Sequence, residues 1–148
     1  MSVKILALLI AAGSGLAMAL QGSLNAALGK VVGLVETTFI VHLTGLVFAG
    51  AALFLCLPGG SRLGRFVQAP WYTYLGGALG VLIIYAVARS IPKVGVAPAT
   101  TAIILGQVFT ASLIDHFGLF GLEKLPFTWH RIAGTLLMAA GAWLLLKK

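Results

Sequence analysis

Polar side chains recur at helical spacing inside the long apolar stretches of this 148-residue sequence. Ser14, Gln21 and Asn25 stand seven and four residues apart, a spacing that places them on one face of a helix. A second stripe, with spacings of seven and eight residues, consists of Thr100, Gln107 and Asp115. Because an unpartnered polar group in hydrocarbon costs roughly several kcal/mol, we expect these faces to meet protein or a cavity rather than lipid.

Five polar residues are predicted to bind a small solute. His42 follows Thr38 by four residues in one apolar stretch, and Tyr85 lies deep in another. With the two glutamines and the asparagine they predict a polar cavity near the middle of a membrane, lined by Gln21, Asn25, His42, Tyr85 and Gln107. The alternative for Gln21 and Asn25 is a bridging role, since polar side chains often hydrogen-bond neighbouring helices in membrane bundles.

Four ionisable residues are candidates for proton coupling: Glu36, His42, Asp115 and His116. An ionisable group at membrane depth costs at least about 2.5–3.5 kcal/mol, which usually marks a functional position, and imidazole changes its charge near neutral pH. Each residue also has a structural alternative. Glu36 stands in the first turn of a predicted helix, where the helix dipole favours an acid. Asp115 and His116 stand near a predicted helix end and can cap it, and His42 can be a buried, hydrogen-bonded neutral ring.

The sequence contains no set of residues typical of catalysis. No nucleophile stands with a base, no metal ligands cluster at a suitable spacing, and no glycine-rich phosphate loop occurs. We therefore expect neither an enzyme nor a cofactor or metal site.

Composition indicates a membrane protein. Hydrophobic residues make up 60% of the chain and charged residues 9%, which is too little charge to cover the surface of a soluble domain. The net charge of +7 does not indicate nucleic-acid binding, because the cations lie between or beyond the apolar stretches, where side chains meet lipid headgroups. The lipid bilayer is therefore the expected surrounding, and nucleic acid is not an expected partner.

Five apolar stretches are each long enough for a transmembrane helix, which needs about 20 residues. We predict helices at residues 5–28, 35–57, 71–90, 97–117 and 129–146, within a single transmembrane domain of residues 1–148. Turn signals separate several of them, at Gly29-Lys30, Pro58-Gly59-Gly60 and Pro92-Lys93. The first stretch imitates a secretory signal, but its apolar run continues past Ala19 to Leu28, so we expect a membrane span that is retained.

Positive charge is balanced between the two predicted sides of the membrane. Five crossings put the termini on opposite sides, and each side then receives five Lys or Arg residues. The side of the N-terminus has Lys4, Arg62, Arg65, Lys124 and Arg131, and the other side has Lys30, Arg89, Lys93, Lys147 and Lys148. Because a charge bias sets orientation, the balance predicts insertion both ways and an antiparallel homodimer, which forms a ten-helix inverted repeat. Assigning Arg131 to the last helix would change this count.

Two runs of residues resemble a known family. They are QGSLNAALG at residues 21–29 and, more specific, GQVFTASLIDHFGLFG at residues 106–121. Over essentially its whole length the chain resembles the YdcZ-type family of the drug/metabolite transporter superfamily. The resemblance implies a five-helix half-transporter, an exporter of the bacterial inner membrane that pairs to give ten helices.

The resemblance also implies which residues matter. The family's motif positions correspond here to Gln21, Asn25, Gln107, Ser112 and Asp115. His42 replaces a small polar residue expected at its place, so any role of this histidine is particular to this chain. The related small multidrug exporters use a glutamate deep in their first helix. The first helix here has no acid, which favours a neutral, zwitterionic or weakly ionic solute over a hydrophobic cation.

The sequence therefore predicts an all-α integral membrane protein that acts as a secondary transporter of a small molecule. Access would alternate around a cavity lined by the first four helices, and the fifth helix would support the dimer. One alternative is a passive channel of dual topology. Another is an accessory subunit or lipid flippase that needs a different partner.

Overall fold

The computed structural model describes residues 2–55 and 62–147. These residues form five α-helices: α1, Val3–Val32; α2, Leu34–Leu55; α3, Leu75–Val94; α4, Val96–Phe117; and α5, Trp129–Leu146. Short 3₁₀ turns occupy Leu63–Gln68, Trp71–Tyr74 and Leu119–Gly121, and the described ranges contain no strand. Each α-helix is long and apolar enough to cross a bilayer, α3 together with the turn before it. The predicted all-α membrane fold with five transmembrane helices is confirmed, while the antiparallel dimer stays a prediction.

The chain forms two compact units, Met1–Lys93 and Val94–Lys148. The first unit contains α1, α2 and α3, and the second contains α4 and α5. A single transmembrane domain of residues 1–148 stays a prediction. The predicted end of the second helix, at residues 56–60, and Lys148 lie outside the described residues.

Helix α1 extends beyond the range that the sequence predicts. Ser2 caps its start by accepting a hydrogen bond from the backbone N–H of Ile5 at 3.4 Å, and Gly33 ends it with a φ of +100°. Lys4 and Lys30 are 26 residues apart, about 39 Å along the helix axis at 1.5 Å per residue. A bilayer with its headgroups is about 40–45 Å thick, so the helix is long enough to span it with a cation near each surface.

Gly33 makes the one-residue turn between α1 and α2. Its φ is positive, and the carboxylate of Glu36 occupies the space where a Cβ would stand. Helix α2 then packs on α1, since a Cβ at Gly29 would lie 3.2 Å from Cδ2 of Leu34 and 3.5 Å from Oγ1 of Thr37. Thr37 is fully buried, and its hydroxyl donates to the carbonyl of Gly33 at 2.7 Å. The two backbones therefore approach closely with the buried hydroxyl satisfied.

Helix α3 packs on α1 through a glycine. A Cβ at Gly22 would lie 3.0 Å from Cγ1 of Val87 and 3.1 Å from Cδ1 of Ile91. Gly22 and its neighbours on this face of α1 are buried. A small residue is therefore what lets α1 and α3 touch at this point.

The end of α3 differs from the predicted turn at Pro92-Lys93. The helix runs through Pro92 and ends at Val94, and the next residue, Gly95, has the positive φ of +94°. Proline removes one backbone hydrogen bond, and in the last turn of a helix this loss does not stop the chain from completing that turn. The glycine, which adopts positive φ without strain, follows the end of the helix instead.

In the second unit, α4 and α5 pack against each other. Gly118 ends α4 in the left-handed conformation (φ 60°, ψ 42°), and its N–H donates to the carbonyl of Asp115 at 3.3 Å. Thr128 caps the start of α5 by accepting from the backbone N–H of Arg131 at 3.4 Å. The intervening residues 118–128, a predicted loop, are irregular apart from one short 3₁₀ turn.

Candidate functional site

A cavity of about 460 Å³ lies between α2 and α3 in the first unit, and we call it the inner cavity. Its lining consists of Val35, Thr38, Phe39, His42, Ala78, Val81, Leu82 and Tyr85. His42 stands within three residues of the midpoint of α2, and Tyr85 stands at the midpoint of α3. The inner cavity therefore extends from the first turn of α2 to the middle of the two helices, and two of the five predicted solute-binding residues line it together.

The imidazole of His42 is held in one orientation. Nδ1 lies 2.8 Å from the backbone carbonyl of Thr38, and because a carbonyl only accepts, Nδ1 carries the hydrogen in this contact. Nε2 points towards α3, where a Cβ at Gly80 would stand 3.4 Å away. In the neutral ring Nε2 is then a hydrogen-bond acceptor, and in the protonated ring it is a donor.

A second cavity, of about 480 Å³, lies at the end of the first unit where α1 and α3 end and α2 begins; we call it the outer cavity. Its lining consists of Ala26, Gly29, Lys30, Leu34, Tyr85, Ala88, Arg89, Pro92 and Lys93. Tyr85 lines both cavities, and its hydroxyl accepts from Nη1 of Arg89 at 3.2 Å. From the sequence, Lys30, Arg89 and Lys93 were expected to lie at the membrane surface only. The four-residue spacing of Tyr85 and Arg89 was the signal that could have linked them to a site.

Asn25 and Gln21 differ in their surroundings. Asn25 is 6% exposed, on the face of α1 that also buries Gly22 and Ala26, whereas Gln21 is exposed in this single chain. Neither residue lines the inner or the outer cavity. Gln21 is nine residues from Lys30, about 13.5 Å along the axis, so it lies at hydrocarbon depth. A solute-binding role for both residues stays a prediction.

Gln107 belongs to the second unit. It stands at the midpoint of α4 and is exposed in this single chain. Its predicted place in one cavity with Gln21, Asn25, His42 and Tyr85 stays a prediction.

Glu36 lies in the first turn of α2. Its carboxylate folds back over Gly33 at the start of the helix, where the helix dipole favours a negative charge. The side chain is exposed and lines neither cavity. This contact supports the structural alternative, and its proton coupling stays a prediction.

Asp115 and His116 hold the connection between α4 and α5. Nη1 of Arg131 donates to Oδ2 of Asp115 at 3.2 Å and to the carbonyl of Leu125 at 3.4 Å. The backbone N–H of Leu125 donates to the Asp115 carbonyl at 2.8 Å, and that of Phe127 donates to Nδ1 of His116 at 3.1 Å. These bonds fix the connecting segment onto the end of α4. They support the structural alternative for both residues, whose proton coupling stays a prediction.

Metal donors do not come together in the described part of the chain. No three His, Cys, Asp or Glu side chains there approach one another as a metal site requires. The polar groups of the inner cavity are a hydroxyl, an imidazole and a phenol, which suit hydrogen bonding to an organic solute.

Comparison with known proteins agrees with this architecture. A family model described as "Putative inner membrane exporter, YdcZ" matches residues 6–144. The Inner membrane protein YdcZ of Escherichia coli (strain K12) is 27% identical over 148 residues, which cover 97% of this chain and 95% of that protein. No solved structure matches the chain. Because the family match runs from the first turn of α1 into the last turn of α5, this chain belongs to the YdcZ family of multi-pass bacterial inner-membrane transport proteins.

Proposed function

We propose that this protein is a secondary transporter that moves a small solute across the bacterial inner membrane as a dual-topology, antiparallel homodimer. The observation that carries the proposal is the inner cavity. It reaches the middle of α2 and α3, where His42 and Tyr85 stand in its wall. Alternating-access transporters hold their solute near this depth.

The size and chemistry of the inner cavity support an organic solute. A volume of about 460 Å³ falls within the range of about 300–1,000 Å³ that is usual for small-molecule sites. Thr38, His42 and Tyr85 provide hydrogen-bonding groups in an otherwise apolar wall. No acid lines this cavity, so a neutral or zwitterionic solute suits it better than a hydrophobic cation.

Exposed polar groups at membrane depth support a second copy. Gln21 and Gln107 are both exposed in the single chain although each lies well inside a membrane span. An amide facing lipid lacks partners for its hydrogen bonds, and burying it without them costs roughly 2–7 kcal/mol. Contact with another protein surface removes this cost, and a second copy of the chain is the partner that the proposal requires.

The charge count above assigned each Lys and Arg to one side of the membrane, and the fold supports this assignment for some of them. Lys30, Arg89 and Lys93, which the count places on one side, line the same outer cavity. Lys4 stands at the other end of α1 from Lys30. These positions support the assumed sides for four of the ten cations, and a balanced charge supports insertion in both orientations.

Solute exchange in liposomes tests the proposal. A panel of metabolites is first screened for thermal stabilisation of the purified protein, since a bound ligand raises its stability. Labelled uptake of the stabilising solute is then measured with and without the same unlabelled solute inside. A transporter accelerates uptake when solute is present on the far side, whereas a channel shows no such acceleration and passes ions at far higher rates.

A cavity-filling variant connects the flux to the inner cavity. Ala78→Phe places a ring in its wall, while Ala52→Phe makes the same change at an exposed position of α2. The proposal predicts that exchange is lost in Ala78→Phe alone, with both variants folded. Equal exchange in the two variants would contradict the assignment of the inner cavity. Absence of flux in the wild type would favour an accessory subunit or a lipid flippase.

A further inference from the structure

Three cations surround the outer cavity without an acid in its lining. Lys30 lies in the last turn of α1, Lys93 in the last turn of α3, and Arg89 one turn deeper in the same helix. Glu36, the acid nearest in sequence to this end of the first unit, is folded over Gly33. Within the described residues the one ion pair joins Asp115 and Arg131. The one acid at this end, Glu36, offsets only part of the positive charge around the outer cavity and forms no ion pair with it within the described residues.

Helix dipoles do not account for this charge. Two helices, α1 and α3, end at the outer cavity and α2 begins there. Each helix end carries about half an elementary charge, negative at the C-terminus and positive at the N-terminus. The three ends therefore sum to about −0.5, and Glu36 in the first turn of α2 adds −1, against +3 from the cations. A positive excess of about 1.5 elementary charges remains, and it favours an anion in the outer cavity.

Arg89 is oriented for such a ligand. Its Nη1 donates to the Tyr85 hydroxyl at 3.2 Å, and Cζ lies 6.0 Å from the centroid of the Tyr85 ring. A guanidinium has five N–H donors, and in the part of the chain that the structure describes this is the one hydrogen bond that Arg89 makes. The tyrosine thus holds the guanidinium at the junction of the two cavities with donors left for a ligand.

We infer that the outer cavity binds a phosphate group between Arg89, Lys30 and Lys93. Tetrahedral phosphate oxygens accept from the planar guanidinium fork and from ammonium groups at the same time. One source of the phosphate is the transported solute, and in that case the inference rests on the proposed function. Such a solute would enter at the outer cavity and pass Tyr85 on its way to the inner cavity. The same chemistry is found in a phospholipid headgroup, because the outer cavity lies at the surface end of the helices.

The soluble source is tested with inorganic phosphate as the probe. The melting temperature of the full chain in detergent is followed against phosphate concentration at constant ionic strength. Saturable stabilisation is expected for the wild type. Arg89→Gln removes a charge-assisted contact, which corresponds to about a tenfold rise in the half-saturating concentration. Arg65→Gln is the matched control, because it removes an exposed cation that lines neither cavity.

The lipid source is tested in a phosphate-free detergent, with and without added phosphatidylglycerol. Stabilisation by phosphatidylglycerol that depends on Arg89 but not on Arg65 identifies a headgroup as the ligand. If Arg89→Gln does not fold, Lys93→Gln is compared with Arg65→Gln in its place, because Lys93 is exposed and its replacement should not disturb folding. The inference is overturned if neither probe stabilises the wild type, or if Arg65→Gln weakens binding as much as the cavity variants do.

The two proposals can fail separately. Phosphate binding without any solute exchange would retain the anion site and contradict the transporter. Exchange of a solute without stabilisation by either inorganic phosphate or phosphatidylglycerol would retain the transporter and overturn the anion site.

Discussion

The contact between α1 and α3 at Gly22 provides a quantitative test of the first unit. A methyl group at residue 22 would lie 3.0 Å from Cγ1 of Val87 and 3.1 Å from Cδ1 of Ile91. Carbon atoms in good contact are about 3.5–4.0 Å apart, so Gly22→Ala requires a shift of about 0.5 Å or more. The Ile91 terminus can rotate away, but the β-branched Val87 has essentially one rotamer in a helix. The substitution is therefore expected to overpack this contact.

Overpacking of a well-packed site costs about 1–3 kcal/mol. Replacing glycine by alanine within a helix also gains about 0.5–1 kcal/mol through backbone entropy. Gly15→Ala is the matched control, because it lies in the same helix with no atom within 4 Å of its new methyl group. Both variants gain the same backbone entropy, so the difference in their stability is the steric cost alone. Gly22→Ala is therefore expected to be less stable than Gly15→Ala by about 1–3 kcal/mol.

The assay is the fraction of monodisperse protein that survives heating in detergent, measured for both variants and the wild type. Gly15→Ala should match or exceed the wild type, and Gly22→Ala should lose several degrees relative to Gly15→Ala. Gly22→Leu should be worse than Gly22→Ala, because its larger side chain has less room. Equal stability of Gly22→Ala and Gly15→Ala would refute the close packing of α1 on α3.

Three further predictions concern individual polar residues. Asn25→Leu should abolish solute exchange, because it removes the amide, while the protein stays folded, because Leu fills a similar volume. Unchanged exchange per folded dimer would make Asn25 a structural bridge. His42→Gln should remove uptake driven by a pH gradient but preserve exchange at equal pH, whereas His130→Gln, at an exposed position, should change neither; intact gradient-driven uptake would rule out this histidine as the proton site. Asp115 and Arg131 are more than a third exposed, so a double-mutant cycle of Asp115→Asn and Arg131→Gln should give a coupling of only about 0.2–1 kcal/mol, and a much larger value would indicate a buried functional pair.

The five helices could be predicted from the sequence, but the residues at which the chain turns between them could not. Gly29 and Gly33 are both glycines near the end of α1, and the pattern alone favoured the first. Gly33 adopts the positive φ at the point where the chain turns so that α2 packs on α1, with Thr37 buried against Gly29, and this packing is a tertiary effect. Pro92 likewise looked like a turn, yet a proline in the last turn of a helix removes too little hydrogen bonding to end it.

The candidate site was predictable only in part. The sequence named His42 and Tyr85, and the inner cavity brings them together. It did not place Arg89 beside Tyr85, because flanking cations in membrane proteins usually serve the lipid surface, and the four-residue spacing of the pair was the one signal for an exception. The pairing of Asp115 with Arg131 depends on the irregular path of residues 118–128. This path could not be predicted, because an irregular segment has no periodic pattern of residues.

The topology of the C-terminus tests the central claim of an antiparallel homodimer most directly. A reporter active on only one side of the membrane is fused after Lys148, in parallel with a second reporter active on the other side. Both reporters should give signal in the wild type. Adding lysines at Gly64 and Gln68, which are exposed near Arg62 and Arg65, should shift the signal to one side. Adding lysines after Lys148 should shift it to the other. A wild-type signal confined to one side would contradict the homodimer and require an oppositely oriented partner.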